Sequence, residues 1–379
     1  MSDCFADRDL KIVATVIAKS NREHPADAVL RTELRNAKGI SRYDGADISE
    51  AVFAYYRWLG WLDQTVAIKE QLNRALELDA AFQKNPANIP DAELVRAVPE
   101  WVMSQANVSP EWLRTLQMKP KLWLRARLGQ GRGLAERLGE CWVGDGPFAD
   151  ALRYEGSEDL FRTAEFHAGE FELQDISSQI VGLICNPQPG ETWWDACAGE
   201  GGKALHLCDL MRNKGLLWAS DRVEWRLKKL KMRAARAKIF NYRAALWDGG
   251  VRLPTKTKFD GILVDAPCAG LGTWQRNPQA RWTTRPQDVS ELSEVQNTLL
   301  TNVASSLKPG GRLIYSVCTL TEAETVGVAK SITDQFPQLK PLSLSNPAKP
   351  HAPAASHLWI WPQDMQGNGM FICAWQRAD

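Results

Sequence analysis

No apolar run in this 379-residue chain approaches the ~18 residues that a membrane-spanning helix needs. A strong charge of either sign is missing too. The formal net charge is +1, which excludes a polycation, so any nucleic-acid contact must come from local basic patches. The opening, Met1-Ser-Asp-Cys-Phe-Ala-Asp-Arg8, lacks a basic stretch followed by an apolar one, so no secretory leader is expected. The eight cysteines (4, 141, 185, 197, 208, 268, 318, 373) are dispersed and form no C-x-x-C pair. That argues against a zinc ribbon and against a disulfide framework. The expectation is a cytoplasmic monomer with free thiols, no metal and no membrane partner. No internal repeat is visible.

Length allows two or three domains. The 16 tryptophans read mostly as core or interface anchors, with a minority free to stack on bases. Residues 1–95 read as helical. Ile48, Val52, Tyr55, Tyr56 and Leu59 share one helix face, and Arg31, Arg35, Lys38 and Arg42 gather around a second helix and its turn. That basic group is either a solvated face or an RNA-contacting one. Residues 96–170 read as a small α+β unit. In it Pro120 to Arg127 form a strand, with Leu122 and Leu124 on one face and Trp123 and Arg125 on the other. Exposed, that second face suits single-stranded RNA; core packing of Trp123 is the competing reading.

From 171 to 379 strand and helix signals alternate, predicting an α/β fold with a mostly parallel sheet. Strands are expected at 192–197, 216–221, 243–247, 259–265 and 312–318, with a closing hairpin from 358–361 and 370–375. Helices are expected at 223–238, 287–307 (stopped by Lys308-Pro-Gly-Gly311) and 322–333. Ligands of such sheets bind outside the carboxyl ends of the strands. Cys197, Asp221, Asp248, Asp265 and Cys318 all fall at those ends.

The turn Asp195-Ala-Cys-Ala-Gly-Glu-Gly-Gly-Lys203 is glycine-rich but is not a Walker A loop, having Cys197 and Ala204 where Gly and Ser/Thr are required. It loosely fits G-x-G-x-x-A, with Asp221 one strand–helix unit later, placed to bond a ribose hydroxyl or to cap a helix. Asp248 is a turn aspartate or an adenine contact. Cys268 lies in Asp265-Ala-Pro-Cys268, ahead of the loop holding Arg276, Arg281 and Trp282; Cys318 lies in Tyr315-Ser-Val-Cys-Thr319. Two thiols and a carboxylate suit covalent catalysis on an electrophilic ring. A thiolate added to C6 of cytosine makes C5 nucleophilic, a carboxyl near N3 stabilises the ring, and a base removes the C5 proton. Chemistry alone does not choose between the two cysteines.

These segments, with Gln174-Asp-Ile-Ser-Ser178 and the extension to Arg276-Asn-Pro278, resemble the Sun-type (RsmB-like) RNA cytosine-5 methyltransferases in order over 170–379. The resemblance implies a Rossmann-like class I methyltransferase domain. It implies Cys318 as nucleophile, Cys268 assisting proton removal and release, and Asp265 touching cofactor and base. It implies S-adenosyl-L-methionine held by Cys197, Ala198, Gly199, Glu200, Gly201, Gly202, Lys203, Asp221, Arg226, Asp248 and Asp265. The turn departs from the family pattern at Gly199-Glu200, where Ala-Pro is usual, and at Ala204, where Thr is usual; Gln275 replaces an arginine.

Between Arg222 and Arg243 stand nine Lys/Arg and one acid, Glu224, a basic surface able to track phosphates or a solvated helix. The N-terminal regions and the Arg276–Trp282 loop are expected to hold the RNA strand, ribosomal RNA ahead of tRNA. A nicotinamide oxidoreductase and a non-catalytic RNA-binding assembly factor are the competing readings.

Overall fold

A computed structural model of the chain describes residues 7–378. Cys4 and the opening residues read for a leader lie outside them, as does the side chain of Arg42. The chain divides into two compact units, 1–120 with 270–288, and 121–269 with 289–379. The divisions expected near 95 and 170 differ from this one.

The first unit is helical, with helices Asp7–Lys19, Ala26–Asn36, Arg42–Trp58, Ile68–Lys84 and Pro110–Gln117. Ser41 starts the third with a capping box: its hydroxyl accepts from Asp44 N at 3.1 Å while the Asp44 carboxylate accepts from Ser41 N. Ile48, Val52, Tyr55 and Tyr56 are buried, as their spacing predicts. Arg31, Arg35 and Lys38 are exposed, and Arg31 pairs with Asp27.

Segment 270–288 departs from expectation. Arg281 is fully buried, its guanidinium donating to the carbonyls of Trp274, Arg57, Ala97 and Leu116. Trp282 Nε1 donates to Tyr56 O at 2.7 Å. These two residues are structural members of the helical unit, not a strand-holding loop; Arg276 alone of the three is exposed.

In the second unit β1 (Leu122–Ala126), β2 (Cys141–Val143), β3 (Ala151–Tyr154) and β4 (Phe171–Leu173) form an antiparallel sheet of order β2-β3-β1-β4. Trp123 and Arg125 are both buried, so this face is not available to RNA. Arg125 pairs with Asp209 at 2.6 Å, and Trp123 Nε1 donates to Gln366 O.

The larger sheet holds β5 (Thr192–Asp195), β6 (Leu216–Asp221), β7 (Tyr242–Leu246), β8 (Phe259–Asp265), β9 (Leu307–Val317), β10 (Leu339–Pro341), β11 (His357–Ile360) and β12 (Met370–Arg377). Its order is β10-β12-β9-β8-β5-β6-β7, with β11 also on β12. Pairing is parallel from β7 to β9, and β12 runs antiparallel to β9. Strand order therefore reverses between β5 and β8, creating a crevice at their carboxyl ends. Both faces are covered. Trp193, Leu263 and Ile314 enter one core and Trp194, Val264 and Tyr315 the other, which is why these strands read as continuous apolar runs.

Lys308-Pro-Gly-Gly311 does not directly stop a helix. The helix Pro286–Ala304 has already ended, and these residues form an irregularity early in β9, between the pairs Phe259–Leu307 and Gly261–Arg312. The expected helix at 322–333 opens with a π-helical turn, Ala323–Gly327, before Val328–Gln335.

Candidate active site

β8 ends at Asp265 and β9 at Val317, and the parallel register sets Asp265 beside Ser316. Ser316 Oγ donates to Asp265 Oδ1 at 2.7 Å, and Lys203 Nζ donates to Asp265 Oδ2 at 2.7 Å and to Ser178 Oγ at 3.3 Å. Both carboxylate oxygens are thus engaged. Burial works against the charge on Lys203, but Asp265 outweighs it and holds the ammonium above its ordinary value.

One residue beyond β9 stands Cys318, and three beyond β8 stands Cys268. Their sulfurs lie 3.4 Å apart. The hydrogen bond from Cys268 holds the Cys318 thiol below its ordinary value; the Lys203 ammonium acts in the same direction, against burial and the Asp265 charge. That lowering favours the thiolate form of Cys318. Cys197 differs: burial and Asp195 push its thiol well up, so it offers the turn its backbone and bulk, not a nucleophile.

The glycine turn runs from the end of β5 into the helix Gly202–Leu210. Gly201 adopts φ +91°, and a Cβ there would stand 2.7 Å from Leu230 Cγ, so the backbone lies closer to its neighbours than any side chain allows. Gly199 N donates to Asp221 Oδ2 at 3.0 Å, and Val223 N donates to Asp221 Oδ1 at 2.8 Å. Asp221 thus ties the turn to the end of β6 and orders the entry to the helix Glu224–Arg236. Arg226 stands 3.8 Å from the same carboxylate. Glu200 is turned to Lys229 at 2.9 Å, which offsets the charge that this departure introduces. Asp248 accepts from Gly250 N at 2.9 Å as a turn aspartate and is exposed.

The description 16S rRNA methyltransferase RsmB/F matches residues 182–376, just over half of the chain. The chain belongs to the RsmB/F family. The probable ribosomal RNA small subunit methyltransferase B of Synechocystis sp. is 35% identical over 221 residues, 56% of this chain and 49% of that protein. The ribosomal RNA small subunit methyltransferase B of Salmonella typhi is 30% identical over 289 residues, 72% of this chain and 65% of that one. The chain thus spans about half to two thirds of the length of these relatives. Among solved structures, PH0851 shares the fold at a TM-score of 0.79 and 20% identity, over 98% of this chain and 99% of its own. RsmB/F membership removes the nicotinamide reading of the turn.

In this RsmB/F chain the crevice brings together Cys318, Cys268, Asp265 and Lys203, while Asp221 and Arg226 gather at the turn. Sequence reasoning missed three contributors. Asp195 ends β5 with both carboxyl oxygens buried, and burial, helped by Asp265 and opposed by Lys203 and the Cys197 N–H, raises its pKa to about 8. Its place at a strand end was the available signal. Ser316 lies in β9 two residues before Cys318, so its face was legible but its partner was not. Ser178 lies in the quoted Gln174–Ser178 segment, with no signal that it meets Lys203.

The basic helix is only partly a free surface. Glu172, itself buried, accepts from Arg233 and Arg236 and pairs with Arg127. Lys231, Lys238 and Arg243 are exposed, with Trp225 and Phe240 beside them in the chain. Lys229 lies over the Trp225 ring at 4.8 Å.

Proposed function

We propose that this chain methylates carbon 5 of a cytosine in small-subunit ribosomal RNA, through a covalent bond between Cys318 Sγ and cytosine C6. The observation that carries the reading is the pair of sulfurs 3.4 Å apart beside the Lys203–Asp265 ion pair. The Cys318 thiolate adds to C6, forming the S–C6 bond, and the C5–C6 π pair shifts towards C5 and the N3 side of the ring. Lys203, held by Asp265, places positive charge where that negative charge develops. S-adenosylmethionine supplies the electrophilic methyl group that C5 takes. Cys268, its own proton released to solvent, then accepts the C5 proton as a thiolate, the C–H pair rebuilds the C5–C6 double bond, and Cys318 leaves as thiolate.

The turn fits that cofactor. A Cβ at Gly199 or Gly202 would meet no atom within 4 Å, so the turn is open on that side, and Asp221 presents a carboxylate at the end of β6. Cys197 to Lys203, Asp221, Arg226 and Asp248 would hold it. Residues 1–120 and the exposed part of the basic helix would hold the RNA, which must present its cytosine unstacked. On this reading the protein acts as a monomer in the cytoplasm.

The test is transfer of labelled methyl to unmodified small-subunit rRNA and, separately, to tRNA, followed by nucleoside analysis. Label in rRNA as 5-methylcytosine supports the proposal. Label confined to tRNA moves the substrate, and label in another nucleoside overturns the chemistry. No label with S-adenosylmethionine bound makes the chain a binding factor.

A further inference from the structure

Glu324 is fully buried in the π-helical turn Ala323–Gly327, where Gly327 N donates to Glu322 O five residues back. Among the described residues no cation pairs with it. Its four partners are neutral donors. Oε1 accepts from Ala269 N at 2.8 Å and Gln296 Nε2 at 3.0 Å; Oε2 accepts from Thr321 Oγ1 at 2.8 Å and Thr319 Oγ1 at 3.2 Å. Ala269 follows Cys268, and Thr319 follows Cys318. Gln296 also donates to Pro267 O at 2.9 Å, on the other side of Cys268. The Tyr315 hydroxyl, on β9, lies 2.6 Å from Glu324 O and 2.9 Å from Gln296 Oε1, with one hydrogen to give to either. One carboxylate therefore grips the residue next to each thiol.

We infer that Glu324 is a positioning residue that sets the separation of Cys268 from Cys318. A buried carboxylate without a counter-ion is poorly placed for stability alone, and burial raises its pKa. An aliphatic side chain would fill the space without that penalty. What such a side chain could not do is accept from both cysteine loops at once. Each loop follows a different strand, and beyond the last ladder bonds of β8 and β9 the sheet no longer fixes one loop against the other. The π-helical turn brings the carboxylate to both. Misplacing a reacting group by about 1 Å costs on the order of 10²-fold in rate, so a clamp on two thiols has catalytic consequence.

This inference rests on the two-thiol reading, so its test includes a measurement that needs no methyl transfer. Diamide, an azo oxidant that takes two hydrogens from a pair of thiols and leaves a disulfide, is added to the full chain, and Cys268–Cys318 pairing is followed by peptide mass. In wild type this pair is expected to close first. Glu324→Ala should slow closure on the order of tenfold and lower kcat on the order of 10²-fold, with KM for RNA within about twofold. Glu324→Gln, which keeps one acceptor, should fall between. If Glu324→Ala does not fold, Thr319→Val, which removes only the Cys318 arm, decides: slower closure at an unchanged melting temperature supports the clamp. Closure and kcat at wild-type rates in the folded variants overturn it. Should wild type methylate no RNA while closure still depends on Glu324, the functional reading fails and the clamp stands.

Discussion

Cys268 Sγ and Cys318 Sγ lie 3.4 Å apart although 50 residues separate them in the chain. Parallel pairing of β8 with β9 makes this possible, because it brings both strands to the same edge of the sheet. The bond between them holds the Cys318 thiol below its ordinary value.

The first prediction separates their roles. Cys318→Ala abolishes methyl transfer, whereas Cys268→Ser accumulates a covalent protein–RNA adduct visible as a retarded band on a denaturing gel. Adduct accumulation in the Cys318 variant instead would reverse the assignment.

Alkylation of Cys318 by iodoacetamide, followed against pH, reports its thiolate fraction. In wild type the midpoint falls below that of a free thiol. Cys268→Ala removes the donor and Lys203→Met the positive charge, so each moves the midpoint up. An unmoved midpoint in both variants would mean that neither neighbour prepares the thiol.

Asp195 makes stability depend on pH. Its folded-state value is raised to about 8 from an ordinary 3.8. Its contribution to stability is therefore fully present below 3.8 and is lost as pH rises through about 8. Asp195→Asn carries no such loss. Its melting temperature, measured without cofactor, should gain on wild type between about pH 5 and about pH 9. A constant difference across that range would count against the raised value.

The two central glycines of the turn should respond in opposite ways. Gly201→Ala forces a side chain into φ +91° and against Leu230, costing about 1–3 kcal/mol and a lower melting temperature. Gly202→Ala meets no atom within 4 Å and leaves the melting temperature in place. Equal effects from the two would show that backbone strain is not what selects Gly201.

On the basic helix, charge removal should have two distinct outcomes. Glu172→Gln strips a buried partner from Arg127, Arg233 and Arg236 and destabilises by about 3–5 kcal/mol, read by urea unfolding. Lys231→Ala leaves stability unchanged and reduces the salt dependence of RNA binding by about one charge. A stability loss in Lys231→Ala would place that lysine in the fold and not on an RNA surface.

The alternating strands and helices, and the crowding of Cys197, Asp221, Asp265 and Cys318 at strand ends, were legible in the amino-acid order alone. These are local properties: apolar runs, turn residues and the place where a run stops. What each side chain meets there depends on the assembled fold. Trp123 and Arg125 alternate as an exposed face would, yet both are buried, Arg125 against Asp209, 84 residues on. Arg281 looked like a loop cation and instead satisfies four backbone carbonyls inside a helical unit. Arg233 and Arg236 read as phosphate contacts or solvated charges but are taken by Glu172, more than 60 residues earlier. Glu324 had no signal at all, because its four donors converge only once β8, β9 and the π-helical turn are assembled. A buried charge is defined by its partners, and those partners are set by chain topology, which local periodicity does not encode.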